Sequence, residues 1–365
     1  MKTFVNPFSP KNPVGLLTSS PAVRRYAGNP LLTAADVPFP CNLAFNAGVA
    51  KFRGRYYMAF RYDTFRENDR NKGLIVSGSG LAESEDGLHW KAHEKPISFH
   101  WRGRELGWVN DARLTVLEDK LYLSFCFNSM HGERPGFAEW KGGDDFEVVC
   151  LGIPAQRNMV LCPYKINGQY WRLERPVTRR SQYDIWASYS PDLIHWGEAE
   201  LLLGVEDVPF ATFKIGAAAP PLETEKGFLL FFHSVDDDPA REIVYPNGAR
   251  WRSRYTCGAF LLDREDPFKI LAMTEKPLLV PETDYETGNM DLFWRENVIF
   301  PCGAVMEGDT IRLYYGAGDY STCMAEIGLN ELWNEMVPYT RKTPFAAVSP
   351  SDLWNGCYGW EQEAL

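Results

Sequence analysis

The chain has 365 residues and a formal net charge of −10, with acidic and basic residues interspersed rather than blocked. That balance argues against nucleic acid or an anionic membrane as the main partner, and any anionic ligand needs a local basic cluster. Hydrophobic residues make 45% of the chain and aromatics 14%, including 12 Trp, 17 Tyr and 22 Phe. Such a composition suits strands and also suits stacking on sugar faces.

The N-terminus, "MKTFVNPFSPKNPVGLL", lacks the continuous apolar run of a signal peptide, and nowhere do 18 apolar residues follow one another. A cytoplasmic protein is the expectation. Eight cysteines, at 41, 126, 150, 162, 257, 302, 323 and 357, lack CxxC spacing and mostly sit in strand-like runs. They read as buried thiols of a reducing compartment, not as a disulfide frame or a zinc site.

One pattern then recurs along the chain: an apolar run, a two-residue turn and an aromatic run. It appears as "AGVAKF-RG-RYYMAFRY", "RLTVL-ED-KLYLSFCF", "VLCPYKI-NG-QYWRLERP", "PPLET-EK-GFLLFFHSV" and "GAVME-GD-TIRLYYGAG". Each predicts a β-hairpin, with Asn-Gly the strongest turn because both residues tolerate positive φ. After two of these hairpins, "SEDGLHW" (84–90) and "SPDLIHW" (190–196) match at Ser, Asp, His and Trp. Each predicts a turn that closes an outer strand and tucks its Trp between neighbouring sheets. Helical periodicity is confined to "STCMAEIGLNELWNEMV", whose first part also reads as a strand.

Repeated hairpin-plus-outer-strand units cannot bury their faces alone, so the chain reads as an all-β, five-bladed β-propeller with a central active-site cavity. Blades are expected to begin near Asn46, Asn110, Arg157, Lys214 and Asn297. No linker-like segment interrupts the chain, so residues 1–365 are expected to form one domain, with an N-terminal arm to about 27 and a C-terminal tail from about 336. The polar stretch 236–255 reads as a flap over one face.

"GSGLAE" (78–83) places Glu83 where a dinucleotide-binding loop wants its third glycine, and GxxxxGK[ST], HExxH and GxSxG are absent. Ionisable residues instead fall at inner-strand ends, which face the axis of a propeller: Asp111, Arg157 and Lys214 at starts, Arg175 and His233 at the ends of second strands. Asp111 beside Arg113 reads either as a strand-entry ion pair or as a proton donor. Arg157, Arg175 and Lys214 taken singly read as solvated charges, and His233 as a hydrogen-bonded core histidine. Together, one carboxyl with several cations suits a substrate plus an anion.

In order, "NPLLTAADVPFPCNLAFNAGVAKFRGRYYMAFR", "NDARLT", "RNMVLCPYKINGQYWRLERP", "IWASYSPDLIHWG", "FKIGAAAPPLETEKGFLLFFHSV", "CGAFLLDREDPFKIL" and "NVIFPCGAVMEGDTIRLYYGAGD" resemble the blocks of glycoside hydrolase family 130, over roughly residues 28 to 335. The resemblance implies a five-bladed propeller and a β-mannoside phosphorylase. It implies Asp111 as general acid, acting through a substrate hydroxyl, with Ala112 where relatives often have proline. Arg157, Arg175, Lys214 and His233, with Tyr255, match its phosphate-binding positions. Asn46 and Asp319 match positions that shape the mannose subsite, and Arg61, Asn110 and Arg113 are placed beside them as substrate-binding. "FHSV" departs from the more usual His-Gly-Val.

The expected reaction is inverting phosphorolysis of a β-D-mannoside, a β-1,4-mannosyl sugar or mannooligosaccharide, to α-D-mannose 1-phosphate. Phosphate is already an anionic nucleophile, so such an enzyme needs cations where an inverting hydrolase needs a base. An inverting β-mannosidase, for instance on β-1,2 linkages, and a non-catalytic sugar-binding propeller are the alternatives. No cofactor beyond inorganic phosphate as co-substrate, and no metal, is expected; a homo-oligomer is compatible with the sequence, "PFSPKNPVGLL" being a candidate interface arm.

Overall fold

A computed structural model describes residues 14–69, 72–177, 183–245, 248–288 and 295–340. Cys357, residues 1–13 of the proposed arm and the tail beyond residue 340 lie outside these residues. Strands dominate and form five blades, each a sheet whose first strand lies innermost.

The first blade runs Leu43–Phe52, Arg55–Phe65, Leu74–Ser84 and Lys91–Pro96. The second runs Val109–Leu117, Lys120–Ser129, Gly132–Gly142 and Asp145–Leu151; an added hairpin, Ser98–Trp101 and Arg104–Leu106, lies parallel to its outer strand. Gln156–Leu161, Tyr170–Pro176, Ile185–Ser190 and Gly197–Leu203 make the third. The fourth contains Lys214–Ala217, Gly227–Asp237, Ser253–Leu262 and Ile270–Thr274. Ile299–Glu307, Thr310–Ala317 and Ser321–Gly328 belong to the fifth.

All five predicted hairpins are present, and inner strands begin within three residues of the expected positions. Their turns differ in detail. Arg53-Gly54, Glu118-Asp119 and Asn167-Gly168 all take positive φ at both residues, the twist that matches paired strands. Glu118-Asp119 does so without a glycine. The Glu225-Lys226 turn instead leans on Thr224, whose hydroxyl accepts from Lys226 N and donates to the Gly227 carbonyl.

Two strands are shorter than their apolar runs imply. "VLCPYKI" ends as a strand at Leu161, because Pro163 has no N–H to continue the ladder. The fourth blade's inner edge is split into Lys214–Ala217 and Leu222–Thr224 around Pro220-Pro221, both pieces pairing with Gly227–Asp237. The predicted helix resolves into the strand Ser321–Gly328 and a short helix, Leu329–Glu335.

Both SxDxxHW-like turns close their outer strands as expected. Asp86 Oδ1 accepts from the N–H groups of Leu88 and His89, and Asp192 Oδ1 from those of Ile194 and His195. Trp90 then packs edge-on against Tyr314 of the fifth blade and Trp196 against Phe137 of the second. The repeated motif is thus an interblade wedge.

Two described segments, one early and one late in the chain, extend blades. Val23–Arg25, within the expected arm, pairs with Ser321–Gly328 and becomes the outer strand of the fifth blade. Met336–Pro338, at the start of the expected tail, adds an edge strand to the fourth. Apolar clusters lie between adjacent blades, for example Leu81, Leu114, Leu123 and Phe146 between the first and second. Of the seven described cysteines none is in a disulfide, and six are buried. Among the described residues no helix is long and apolar enough to cross a membrane.

Candidate active site

At one end of the axis the inner strands of the first three blades share a device. Each has a register shift near its start: between Phe45 and Gly48, between Asn110 and Arg113, and between Arg157 and Val160. Within each shift one polar residue takes a left-handed backbone: Asn46 (φ 52°), Asp111 (φ 56°) and Asn158 (φ 54°). Asn and Asp tolerate this conformation better than other side-chain-bearing residues. Such a bulge re-aims its side chain. All three line an axial cavity of about 140 Å³, with Arg61, Arg157, Arg175, Lys214, Tyr255, Phe300 and Asp319.

Asp111 is 5% exposed. Its Oδ2 accepts from Arg157 NH2 at 2.6 Å, and Arg61 NH1 lies 3.9 Å from Oδ1. Burial by itself pushes its carboxyl up, but the guanidinium groups of Arg157, Arg61 and Arg113 outweigh that and hold it well below the usual carboxylate range. Arg61 is itself fixed by two bonds to Asp63, at 3.0 and 2.9 Å, and lies over the Phe45 ring.

Across the cavity the balance reverses. Arg175 is pushed down to about 10 by burial and by the charge of Arg157. Lys214 is pushed down to about 7, by burial and then by Arg175 and Arg157. Burial and neighbouring cations thus raise the cost of ionising Arg175 and Lys214, whereas Arg157, paired with Asp111, is held firmly charged. Arg157 Nε, Arg175 Nε and Asn158 Nδ2 are buried donors without a partner among the described residues. Buried donors left in this way are costly, and an anion with several acceptor oxygens would satisfy them. Among the described residues no group of His, Cys, Asp and Glu suits a metal ion.

Several expected site residues sit one layer back. His233 is fully buried and lines no part of the cavity; its Nε2 accepts from Arg175 NH1 at 3.1 Å, which leaves the ring proton on Nδ1. Burial and the surrounding cations hold this imidazole neutral, so its part is to orient Arg175. Gly216 makes room for it: a Cβ there would stand 2.4 Å from His233 Cε1. Arg113 is also fully buried and does not pair with the Asp111 carboxylate. It donates to the main-chain carbonyls of Asp111 and, at 3.1 Å, Ala218, lying over Phe300. This ties the second blade to the fourth beneath the site. Asn110 donates to Ser77 Oγ at 3.2 Å, outside the cavity.

Asp111, Arg157, Arg175, Lys214, Tyr255, Asn46, Arg61 and Asp319 are therefore brought together, while His233, Arg113 and Asn110 support them from behind. Asn158 and Phe300 line the cavity and were not among the expected residues. The signal for Asn158 was available: Asn46-Ala47, Asp111-Ala112 and Asn158-Met159 occupy matching places in three successive inner strands.

The expected flap is narrower than 236–255: Asp236 and Asp237 pair with Arg254 and Ser253 as ladder of the fourth blade, and the described residues between them form a projection beside Tyr255. Ile243–Val244 pairs with Arg250–Trp251. Trp251 stacks on Tyr255 with ring centroids 5.8 Å apart and an interplanar angle of 5°. Lys214 Nζ sits 4.9 Å from the Tyr255 ring centre and the Arg295 guanidinium 4.8 Å from that of Trp251. The order Lys214, Tyr255, Trp251, Arg295 forms a cation–aromatic column from the cavity into the flap.

A family model described as β-1,4-mannooligosaccharide phosphorylase matches residues 33–337. The β-1,2-mannobiose phosphorylase of Listeria innocua is 28% identical over 366 residues, covering 86% of this chain and 98% of its own. The β-1,4-mannooligosaccharide phosphorylase of Ruminococcus albus is 30% identical over 318 residues, covering 82% and 87% respectively. The solved structure of the Listeria innocua enzyme with β-1,2-mannobiose superposes with a TM-score of 0.71 at 27% identity, over 86% of this chain and 98% of that one.

Proposed function

The chain belongs to glycoside hydrolase family 130, and on that premise we propose that it is an inverting phosphorylase of β-D-mannosides. A mannosyl residue occupies the cavity beside Asn46, Asp319 and Asp111, and inorganic phosphate occupies the ground between Arg157, Arg175 and Lys214. A phosphate oxygen bonds to C1 from the face opposite the leaving group as the glycosidic C1–O bond breaks. Inversion gives α-D-mannose 1-phosphate, and the leaving oxygen takes its proton from Asp111, directly or through a sugar hydroxyl. Phosphate is the co-substrate, and no other cofactor is required.

The observation that carries this reading is the gathering of Arg157, Arg175 and Lys214 with Asp111 in one small cavity, where Arg157 is paired with the acid while Arg175 and Lys214 have no carboxylate partner among the described residues. A second carboxylate, Asp319, shares the cavity with Asp111, so it is the cations, which hydrolysis would not need, that favour phosphorolysis; binding alone would call for neither the acid nor the cations. Arg157 also links the two halves of the reaction. While it holds Asp111 ionised, that carboxylate is a poor acid. A phosphate dianion that engages Arg157 and brings negative charge close raises the Asp111 pKa, so the nucleophile's arrival readies the acid.

The test runs the reaction in reverse, with α-D-mannose 1-phosphate and a panel of acceptors: glucose, mannose, N-acetylglucosamine and short mannosides. Transfer of mannose with release of phosphate is expected, and the product's linkage decides between β-1,4 and β-1,2. Failure to transfer to any acceptor, with hydrolysis of mannosides proceeding without phosphate, contradicts the proposal.

A further inference from the structure

Arg175 and Lys214, the two cations of the axial cavity without a carboxylate partner among the described residues, are each set against an aromatic ring outside it. The Arg175 guanidinium carbon stands 5.7 Å from the centre of the Tyr183 ring. Lys214 Nζ stands 5.3 Å from that of Phe213 and 4.9 Å from that of Tyr255. The Tyr183 and Phe213 rings meet edge to face, with centroids 5.5 Å apart and an interplanar angle of 83°, an arrangement that aromatic pairs favour. Neither ring lines the cavity, so both reach it only through the cations they carry.

The main chain under both rings is fixed. Tyr183 lies just before the third blade's strand Ile185–Ser190, and Phe213 just before the fourth blade's inner strand Lys214–Ala217. Tyr183 pairs with Lys214 in an isolated parallel bridge, its carbonyl accepting from Ile215 N at 2.9 Å. Phe213 N donates to the Val235 carbonyl at 3.1 Å. The two rings thus sit where the third and fourth blades meet. Charge explains why rings and not acids stand there. A carboxylate beside Arg175 or Lys214 would occupy their N–H donors and repel an incoming anion. The face of an aromatic ring attracts a cation through its quadrupole and leaves those donors open.

We infer that Tyr183 and Phe213 are positioning residues for phosphate: one ring seats each cation, and the edge-to-face contact between the rings fixes Arg175 relative to Lys214. The inference rests on the proposed phosphorolysis and deepens it by naming what holds two like charges in one cavity before the anion arrives. Neither ring touches phosphate, so the loss of either acts through the cation it carries.

The experiment titrates inorganic phosphate by calorimetry into wild type, Tyr183→Leu, Tyr183→Phe, Phe213→Leu and the double leucine variant. Beside it are measured the KM for phosphate and the KM for the mannoside that the wild type cleaves. Each leucine variant is expected to bind phosphate about three- to tenfold more weakly, with a matching rise in KM for phosphate, as fits one lost cation–aromatic contact. KM for the mannoside should change less than about twofold, a split that a general loss of structure would not give. Tyr183→Phe keeps the ring and should stay near wild type. Because the rings hold the two cations jointly, the double variant should lose less than the product of the single losses. Where Tyr183→Leu does not fold, Phe213→Leu decides alone. Unchanged phosphate binding in the leucine variants, equal rises in both KM values, a Tyr183→Phe as weak as Tyr183→Leu, or losses that simply multiply overturns the inference while the phosphorylase reading stands. A wild type that binds no phosphate overturns that reading, and the inference with it.

Discussion

At the scale of single residues, the site is a contest between one carboxylate and several cations. Replacing Asp111 by Asn removes the proton donor and should lower kcat by about 10²–10⁴-fold while the fold is retained, read from product formation beside a circular dichroism melt. Because Asp111 must be protonated to act, activity falls as pH rises through its pKa. Saturating phosphate, by drawing on Arg157, is expected to move that alkaline limb to higher pH than limiting phosphate does. Lys214 provides an independent reading. Its pKa of about 7 lies below the ordinary lysine range, and an anion beside it raises that value, so phosphate binding above pH 7 takes up a proton. Calorimetry in two buffers of different ionisation enthalpy should report this uptake, and Lys214→Met should abolish it. Much of this was legible in the sequence because acid and cations fall at strand ends. The layering was not: that His233 and Arg113 turn away from the cavity depends on Gly216, the ladder partner of His233 within the fourth blade, and on the Ala218 carbonyl, which Arg113 reaches from the second blade.

At the scale of elements, the inner strands meet so closely that small residues are obligatory. A Cβ on Gly48 would lie 2.6 Å from the Ala112 carbonyl oxygen and 2.7 Å from Arg113 Cα, both main-chain atoms beside Asp111. Gly48→Ala should therefore destabilise by about 1–3 kcal/mol, measured by denaturant unfolding, and reduce kcat as well. In the flap, Trp251 braces Tyr255 and through it Lys214. Trp251→Ala is expected to raise KM for phosphate several-fold with little change in KM for the mannoside, and Trp251→Phe to stay near wild type. The hairpins could be read from two-residue turns between apolar and aromatic runs, since turn chemistry is local. The split inner edge of the fourth blade and the added hairpin at 98–106 were harder to see, because proline breaks and edge pairing depend on which strand lies alongside.

At the scale of the whole molecule, the ring is closed by a strand from the other end of the chain. Val23–Arg25 completes the fifth blade, and Arg25 grips the fully buried Glu286 through Nε at 2.7 Å and NH2 at 2.9 Å. Tyr315 donates to the same carboxylate at 2.8 Å. Arg25→Ala leaves a buried charge without its counterion and should cost about 3–5 kcal/mol in equilibrium unfolding. Nothing in "VRR" announces this role: three residues carry no periodicity, and their pairing partner lies some three hundred residues away. The five blades themselves were legible because their repeat is written in hairpins and in two Trp wedges, each of which needs a neighbouring sheet to cover it.

The most direct measurement follows the products formed from a manno-oligosaccharide with and without inorganic phosphate. The account predicts α-D-mannose 1-phosphate as the mannosyl product, formed only when phosphate is present and not by Asp111→Asn. Free mannose released at the same rate in the absence of phosphate would contradict it.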